Sequence, residues 1–75
     1  MNSICIDENN QLVVKFEPTG NFSTDYFIED FLNESDFTKN ENDFFYESKD
    51  IVEFKKRVKW TVDKFVKEFE DNLEI

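Results

Sequence analysis

The last third of the chain carries the clearest pattern of hydrophobic and polar positions. Apolar residues recur there at steps of three or four, and Val66 widens the stripe that they form. At about 100° per residue such positions fall on one side of an α-helix. Asp50 suits the N-cap and Glu53 the third helical position of a capping box. The pattern predicts a long amphipathic helix over residues 51–73. Its stripe consists of Ile51, Phe54, Val58, Val62, Phe65, Phe69 and Leu73.

The N-terminal pattern has a period of two and predicts a β-hairpin over residues 3–17. Two short apolar runs, residues 4–6 and 12–16, are separated by five polar residues that include Asn9 and Asn10. Asparagine tolerates a positive φ, which favours a tight turn between the runs. Alternation places Ile4 and Ile6 on one face of the hairpin and Lys15 on the other. Cys5 is predicted to be a small buried residue of the first strand.

The middle of the chain is ambiguous. Within residues 21–34, Phe27, Ile28, Phe31 and Leu32 have the spacing of a helix, with Ser23 or Thr24 as its cap. The aromatic and β-branched residues of the same run also fit a strand, so the helix is preferred and the strand stays open. Residues 35–43 are polar and predict a loop, and residues 44–46 predict a further strand.

Together these elements predict an α+β fold in one domain, residues 1–75. A small antiparallel sheet of three or four strands, begun by the N-terminal hairpin, packs against the long C-terminal helix. A core of this size supplies only roughly 3–5 kcal/mol of stability without a disulfide or a metal. The chain therefore suits stabilisation by a partner or by a second copy of itself.

The charge is divided unevenly along the chain. Residues 1–50 hold twelve acids against three lysines, whereas six acids face six bases in residues 51–75, and the net charge is −9. This imbalance disfavours direct binding to nucleic acid, because phosphate contacts need a basic surface. The same imbalance disfavours binding to anionic membranes. The partner expected from the charge is a basic protein, such as a nuclease or another nucleic-acid-binding protein.

The residue types offer little catalytic chemistry. Histidine is absent and Cys5 is the single cysteine, which removes the commonest general base and the usual zinc ligands. Glycine occurs once, so neither phosphate-binding glycine loop is present. We therefore predict a non-enzymatic protein with no cofactor and no structural metal, and a looser carboxylate cation site stays open. The single thiol and the absence of a signal-like N-terminus predict a cytoplasmic protein, in the host cell if it is phage-encoded.

The acids between residues 21 and 50 are interleaved with aromatic residues and are the candidate contacts for a basic partner. A row of carboxylates can occupy a groove that normally holds nucleic acid, and long-range attraction speeds the encounter. The alternative is a solvated face that keeps a phenylalanine-rich chain soluble. The predicted contacts are Asp25, Glu29, Asp30, Glu34, Asp36, Glu41 and Asp43.

Trp60 is the eighth candidate contact. It lies opposite the apolar stripe of the C-terminal helix, among lysines. A tryptophan there is either an anchor at an interface or a side chain covered by another segment of its own chain.

Three functions follow from these properties. The first is an inhibitor or regulator that occludes the basic site of a nucleic-acid-handling protein. In size, acidity and lack of catalytic residues, the chain resembles small phage-encoded inhibitors such as DNA mimics, anti-restriction and anti-CRISPR proteins, and the resemblance covers no motif. The second is an immunity protein or antitoxin that neutralises a basic nuclease-like toxin. The third is a self-assembling structural module that dimerises through Trp60 or through a strand edge.

Overall fold

Alternating helices and strands build a two-layer α+β fold, as the sequence predicts. The computed structural model of the chain describes residues 2–69 and 73–74. Its elements in chain order are β1 (Asn2–Ile6), β2 (Leu12–Lys15), α1 (Phe22–Glu34), β3 (Thr38–Asn40), β4 (Asp43–Tyr46), α2 (Ile51–Phe69) and β5 (Leu73–Glu74).

The N-terminal hairpin pairs β1 with β2 in antiparallel register, with Ile4 opposite Val14. The carboxylate of Asp7 organises the turn, accepting hydrogen bonds from the backbone amides of Asn9 (2.9 Å) and Gln11 (2.8 Å). Asn10 takes a φ of 60°, a left-handed conformation that asparagine adopts at little cost. The predicted hairpin and its asparagine turn are confirmed.

Within residues 2–69 and 73–74, the sheet has five strands in the order β3-β4-β2-β1-β5. The pairs β3–β4, β4–β2 and β2–β1 are antiparallel, whereas β5 pairs parallel with the start of β1. Two predictions were wrong here. Residues 35–43 are not all loop, because residues 38–40 form β3. The C-terminal helix does not continue to residue 73, because residues 73–74 pair with the backbone of β1 instead. The helix α2 is described as far as Phe69, and residues 70–72 of the predicted helix lie outside the described residues.

The core lies between one face of the sheet and both helices. Ile28 and Leu32 of α1 and Phe65 of α2 are fully buried against the strands. Because the strands alternate, Ile4 faces this core while Cys5 is exposed on the opposite face, so the predicted burial of Cys5 was wrong. Ile6, the last residue of β1, is 54% exposed and is not part of the core.

Residues 22–34 form a helix, which decides the ambiguity of the middle segment. Its N-cap is Asn21 and not the predicted Ser23 or Thr24. The Asn21 side chain accepts a hydrogen bond from the Thr24 amide at 3.1 Å. Gly20, with a φ of 90°, turns the chain immediately before this cap, so the helix begins earlier than the hydroxyl residues suggest.

The N-terminus of α2 carries half of the predicted capping box. Asp50 Oδ1 accepts hydrogen bonds from the amides of Val52 (2.9 Å) and Glu53 (3.2 Å). The Asp50 amide itself donates to Ser48 Oγ at 3.1 Å, taking the place of the bond expected to the Glu53 carboxylate. The Glu53 side chain is consequently left pointing to solvent.

Candidate functional site

Asp25 fixes the approach of the chain into α1. Its carboxylate accepts hydrogen bonds from the Thr19 amide (2.8 Å), the Thr19 hydroxyl (2.8 Å) and the Gly20 amide (3.1 Å). The bond from the Thr19 amide is the largest cause that lowers the pKa of Asp25 below its ordinary value, because it stabilises the charged form. Asp25 was predicted as a partner contact, but its carboxylate is used within the chain.

We expect Asp25→Asn to loosen this turn in a pH-dependent way. A carboxyl group whose pKa is lower in the folded chain stabilises the fold above its unfolded pKa, about 3.9. That contribution is lost as the pH falls through the lowered folded pKa. The Thr19 and Gly20 amides should therefore exchange hydrogen faster in the variant near neutral pH, as followed by NMR. The unfolding free energies of the two proteins should converge in acid. An equal difference at every pH would contradict this role.

The outward side of α1 carries a ridge of four residues spaced four apart. We call Phe22, Tyr26, Asp30 and Glu34 the α1 ridge; all four are exposed. Residues at this spacing form one continuous row on a helix surface, here about 18 Å long. The first half of the row is aromatic and the second half is anionic.

The aromatic half of the α1 ridge is a pair of stacked, solvent-exposed rings. The rings of Phe22 and Tyr26 have centroids 6.1 Å apart and planes inclined by 23°. Phe22 is 81% exposed and Tyr26 62% exposed. Single exposed apolar side chains are ordinary, but two stacked rings beside each other make a contiguous apolar patch of the kind found at interaction sites.

The anionic half of the α1 ridge is uncompensated. Among the described residues, neither Asp30 nor Glu34 takes part in an ion pair or a side-chain hydrogen bond. Acids elsewhere on or near α1 differ in this respect. Glu29 pairs with Lys39 at 2.9 Å, on the side of α1 that faces β3. On the other side, Lys64 lies 4.2 Å from the centre of the Phe27 ring.

The remaining predicted acids lie away from the α1 ridge. Asp36 follows the end of α1 and forms an ion pair with Arg57 at 3.6 Å. Glu41 lies in the turn between β3 and β4, where its φ is 59°. Asp43 pairs in register with Lys15 in the sheet. The seven acids thus do not form a single surface, and the structure brings only Asp30 and Glu34 together as free carboxylates.

Trp60 lies on the outward side of α2 and is 64% exposed. Of the two interpretations offered by the sequence, covering by another segment of the chain was wrong. Its ring centre lies 6.0 Å from the guanidinium of Arg57, a cation–π contact from the same helix.

Arg57 is the residue with a structural role that sequence reasoning missed. Its guanidinium lies 4.8 Å from the centre of the Tyr46 ring and donates a hydrogen bond to the backbone carbonyl of Ser35. With its ion pair to Asp36, Arg57 fastens α2 to the C-terminal end of α1. The available signal was that Arg57 is the only arginine of the chain and lies beside the apolar stripe.

No family model, curated protein or solved structure matches the chain. Within residues 2–69 and 73–74, no group of three metal-ligating side chains is assembled. In the same part of the chain, neither helix combines the length and the apolar content needed to cross a membrane.

Proposed function

We propose that this protein is a non-enzymatic inhibitor or regulator that binds a basic, nucleic-acid-handling protein through the α1 ridge. The observation that supports this most is the exposed aromatic pair, Phe22 and Tyr26, continued along the same row by two free carboxylates. The bound protein loses access to nucleic acid because the ridge covers its basic site.

The aromatic half of the ridge supplies the affinity in this proposal. An aromatic side chain removes roughly 150–250 Å² from water when it is buried. Tyrosine is also enriched among the few residues that dominate binding energy at protein interfaces. Because Phe22 and Tyr26 already stack on each other, they lose little conformational freedom when a partner covers them.

The anionic half of the ridge supplies attraction and orientation. Asp30 and Glu34 lie one helical turn apart, with charges separated by about 6 Å along the axis. Like charges at this spacing destabilise a helix by roughly 0.2–0.5 kcal/mol, and a lysine or arginine of the partner relieves that repulsion. The net charge of −9 extends the attraction and raises the rate of encounter with a basic protein.

The toxin-neutralising alternative uses the same surface. An immunity protein against a basic nuclease-like toxin would need the same pairing of an apolar anchor with free carboxylates. The identity of the bound protein therefore separates the two functions.

The proposal is tested by reversing the two ridge charges. Immobilised wild type is exposed to heparin-binding proteins of the source cell, and we expect it to retain a basic protein that added duplex DNA releases. D30K/E34K should retain little of it, because both contacts become repulsive. The matched control, E8K/E47K, makes the same charge change at two exposed positions outside α1 and should retain it. Equal retention by the two double variants would contradict the proposal.

A further inference from the structure

The outward side of α2 carries a second surface, distinct from the α1 ridge. Five exposed residues recur there at alternating steps of three and four. This is the spacing by which one helix faces another along a seam. We call these residues the α2 seam: Glu53, Lys56, Trp60, Asp63 and Lys67.

The α2 seam borders an open depression. A volume of about 610 Å³ is lined by Glu53, Lys56, Arg57, Lys59, Trp60 and Asp63. All of these residues belong to α2, so the depression is the space beside the exposed Trp60 ring. No described residue from outside α2 lies on its opposite side. An elongated element laid along α2 would supply an opposing wall.

The outer charges of the α2 seam are symmetric about Trp60, and the inner charges are within one residue of symmetry. An acid, Glu53, lies seven residues before Trp60 and a base, Lys67, lies seven residues after it. Nearer to the ring, the signs are reversed, with Lys56 four residues before it and Asp63 three residues after it. A helix with this pattern is complementary to a copy of itself that runs in the opposite direction.

We propose that a second copy of the chain docks on the α2 seam, with the two helices antiparallel and a two-fold axis at Trp60. Glu53 then faces Lys67 of the second copy, and Lys56 lies next to Asp63 of the second copy. The two Trp60 rings meet at the centre of the interface. A parallel arrangement would instead place each charge against its own kind, which is repulsive.

Little within the chain opposes this pairing. Asp63 accepts a hydrogen bond from Lys59 at 3.0 Å, but both side chains are largely exposed, and such a pair contributes little to stability. Among the described residues, the side chains of Glu53 and Lys67 form no ion pair. Both are therefore available to the second copy.

The resulting dimer is expected to be weak. A helix of 19 residues is about 28 Å long, and one of its faces covers less than the roughly 800 Å² per partner of a standard interface. Association should therefore depend on concentration. It should also weaken with salt, because most contacts between the two copies are exposed ion pairs.

A charge swap on the full chain tests the dimer. Sedimentation equilibrium over a range of concentrations should show a monomer–dimer equilibrium in the wild type. K67E and E53K should each weaken it by about tenfold, because each turns two symmetric attractions into repulsions. The double variant E53K/K67E exchanges the partners of each pair and should restore the wild-type dissociation constant. Trp60→Ala should weaken the dimer at every salt concentration.

Three results would overturn the proposal. The first is a wild type that stays monomeric at every concentration. The second is a double variant that remains as weak as the single variants. The third is an E53K variant that dimerises more tightly, combined with loss of dimer in D30K/E34K, which would mean that the α1 ridge of one copy binds α2 of the next. The retention experiment on the α1 ridge has a separate readout, so the two proposals fail independently.

Discussion

Phe65→Ala is expected to leave the chain largely unfolded at room temperature. Phe65 is completely buried, and its ring meets Phe16 edge to face with centroids 6.5 Å apart. Truncating a buried phenylalanine removes apolar contact and opens a cavity, which costs roughly 3–5 kcal/mol. A single core of this size supplies only about the same amount of folding stability. Circular dichroism should therefore show a small folded fraction without urea. The urea titration should lack a folded-state baseline.

The control for this prediction is the same truncation on the surface. Phe22→Ala removes an identical ring that is 81% exposed, and it should change the unfolding free energy by no more than about 0.5 kcal/mol. Phe65→Leu keeps part of the core volume filled and should recover most of the folded protein. A Phe65→Ala variant that unfolds at the wild-type urea concentration would show that α2 does not pack on the sheet through this residue.

Arg57→Met is expected to destabilise the chain by about 1.5–3 kcal/mol, the range for a hydrogen bond to a charged group. The Arg57 side chain is only 14% exposed, so its charge is partly removed from water and is held by specific partners. Methionine fills a similar volume but donates nothing, which leaves the buried Ser35 without a donor for its carbonyl. Urea unfolding of the purified variant measures the change.

Two further variants separate the contributions of Arg57. Lys55→Met removes a positive charge from an exposed neighbour and should change the unfolding free energy by less than about 0.5 kcal/mol. Asp36→Asn removes only the ion pair, and Asp36 is 77% exposed, so we expect a loss of less than about 1 kcal/mol. If Asp36→Asn were as damaging as Arg57→Met, the ion pair and not the bond to the Ser35 carbonyl would join the two helices.

The elements with a sustained period could be predicted from the sequence. The stripe from Phe54 to Phe65 is long enough to indicate one helix face, and the alternation of Leu12 and Val14 indicates one sheet face. β3 carries no such signal, because its three residues are all exposed and none is apolar. It forms because its backbone pairs with β4, a tertiary effect that side-chain pattern does not encode.

The C-terminal boundary shows how periodicity can mislead. Leu73 continues the step of four that predicts α2, yet residues 73–74 pair with β1. An apolar residue suits the next turn of a helix and a short strand equally well. The choice depends on the free edge of β1, whose backbone groups gain partners from β5.

The candidate site was only partly predictable for the same reason. The sequence identified Asp30 and Glu34 among seven acids, but it could not show which acids have partners. Lys39 and Arg57 reach Glu29 and Asp36 from 10 and 21 residues away in the chain, through tertiary packing. In the sequence, Phe22 and Tyr26 fit the strand alternative for residues 21–34, and their exposure follows only from the folded chain.

Comparing D30K/E34K with E8K/E47K tests whether the α1 ridge itself binds the basic protein. The association rate of each variant with the retained protein is measured as the salt concentration is raised. We expect a fast wild-type rate that falls with salt, a slow rate for D30K/E34K, and a rate near that of the wild type for E8K/E47K. Equal slowing of the two variants would contradict it, because net charge and not the α1 ridge would then govern binding.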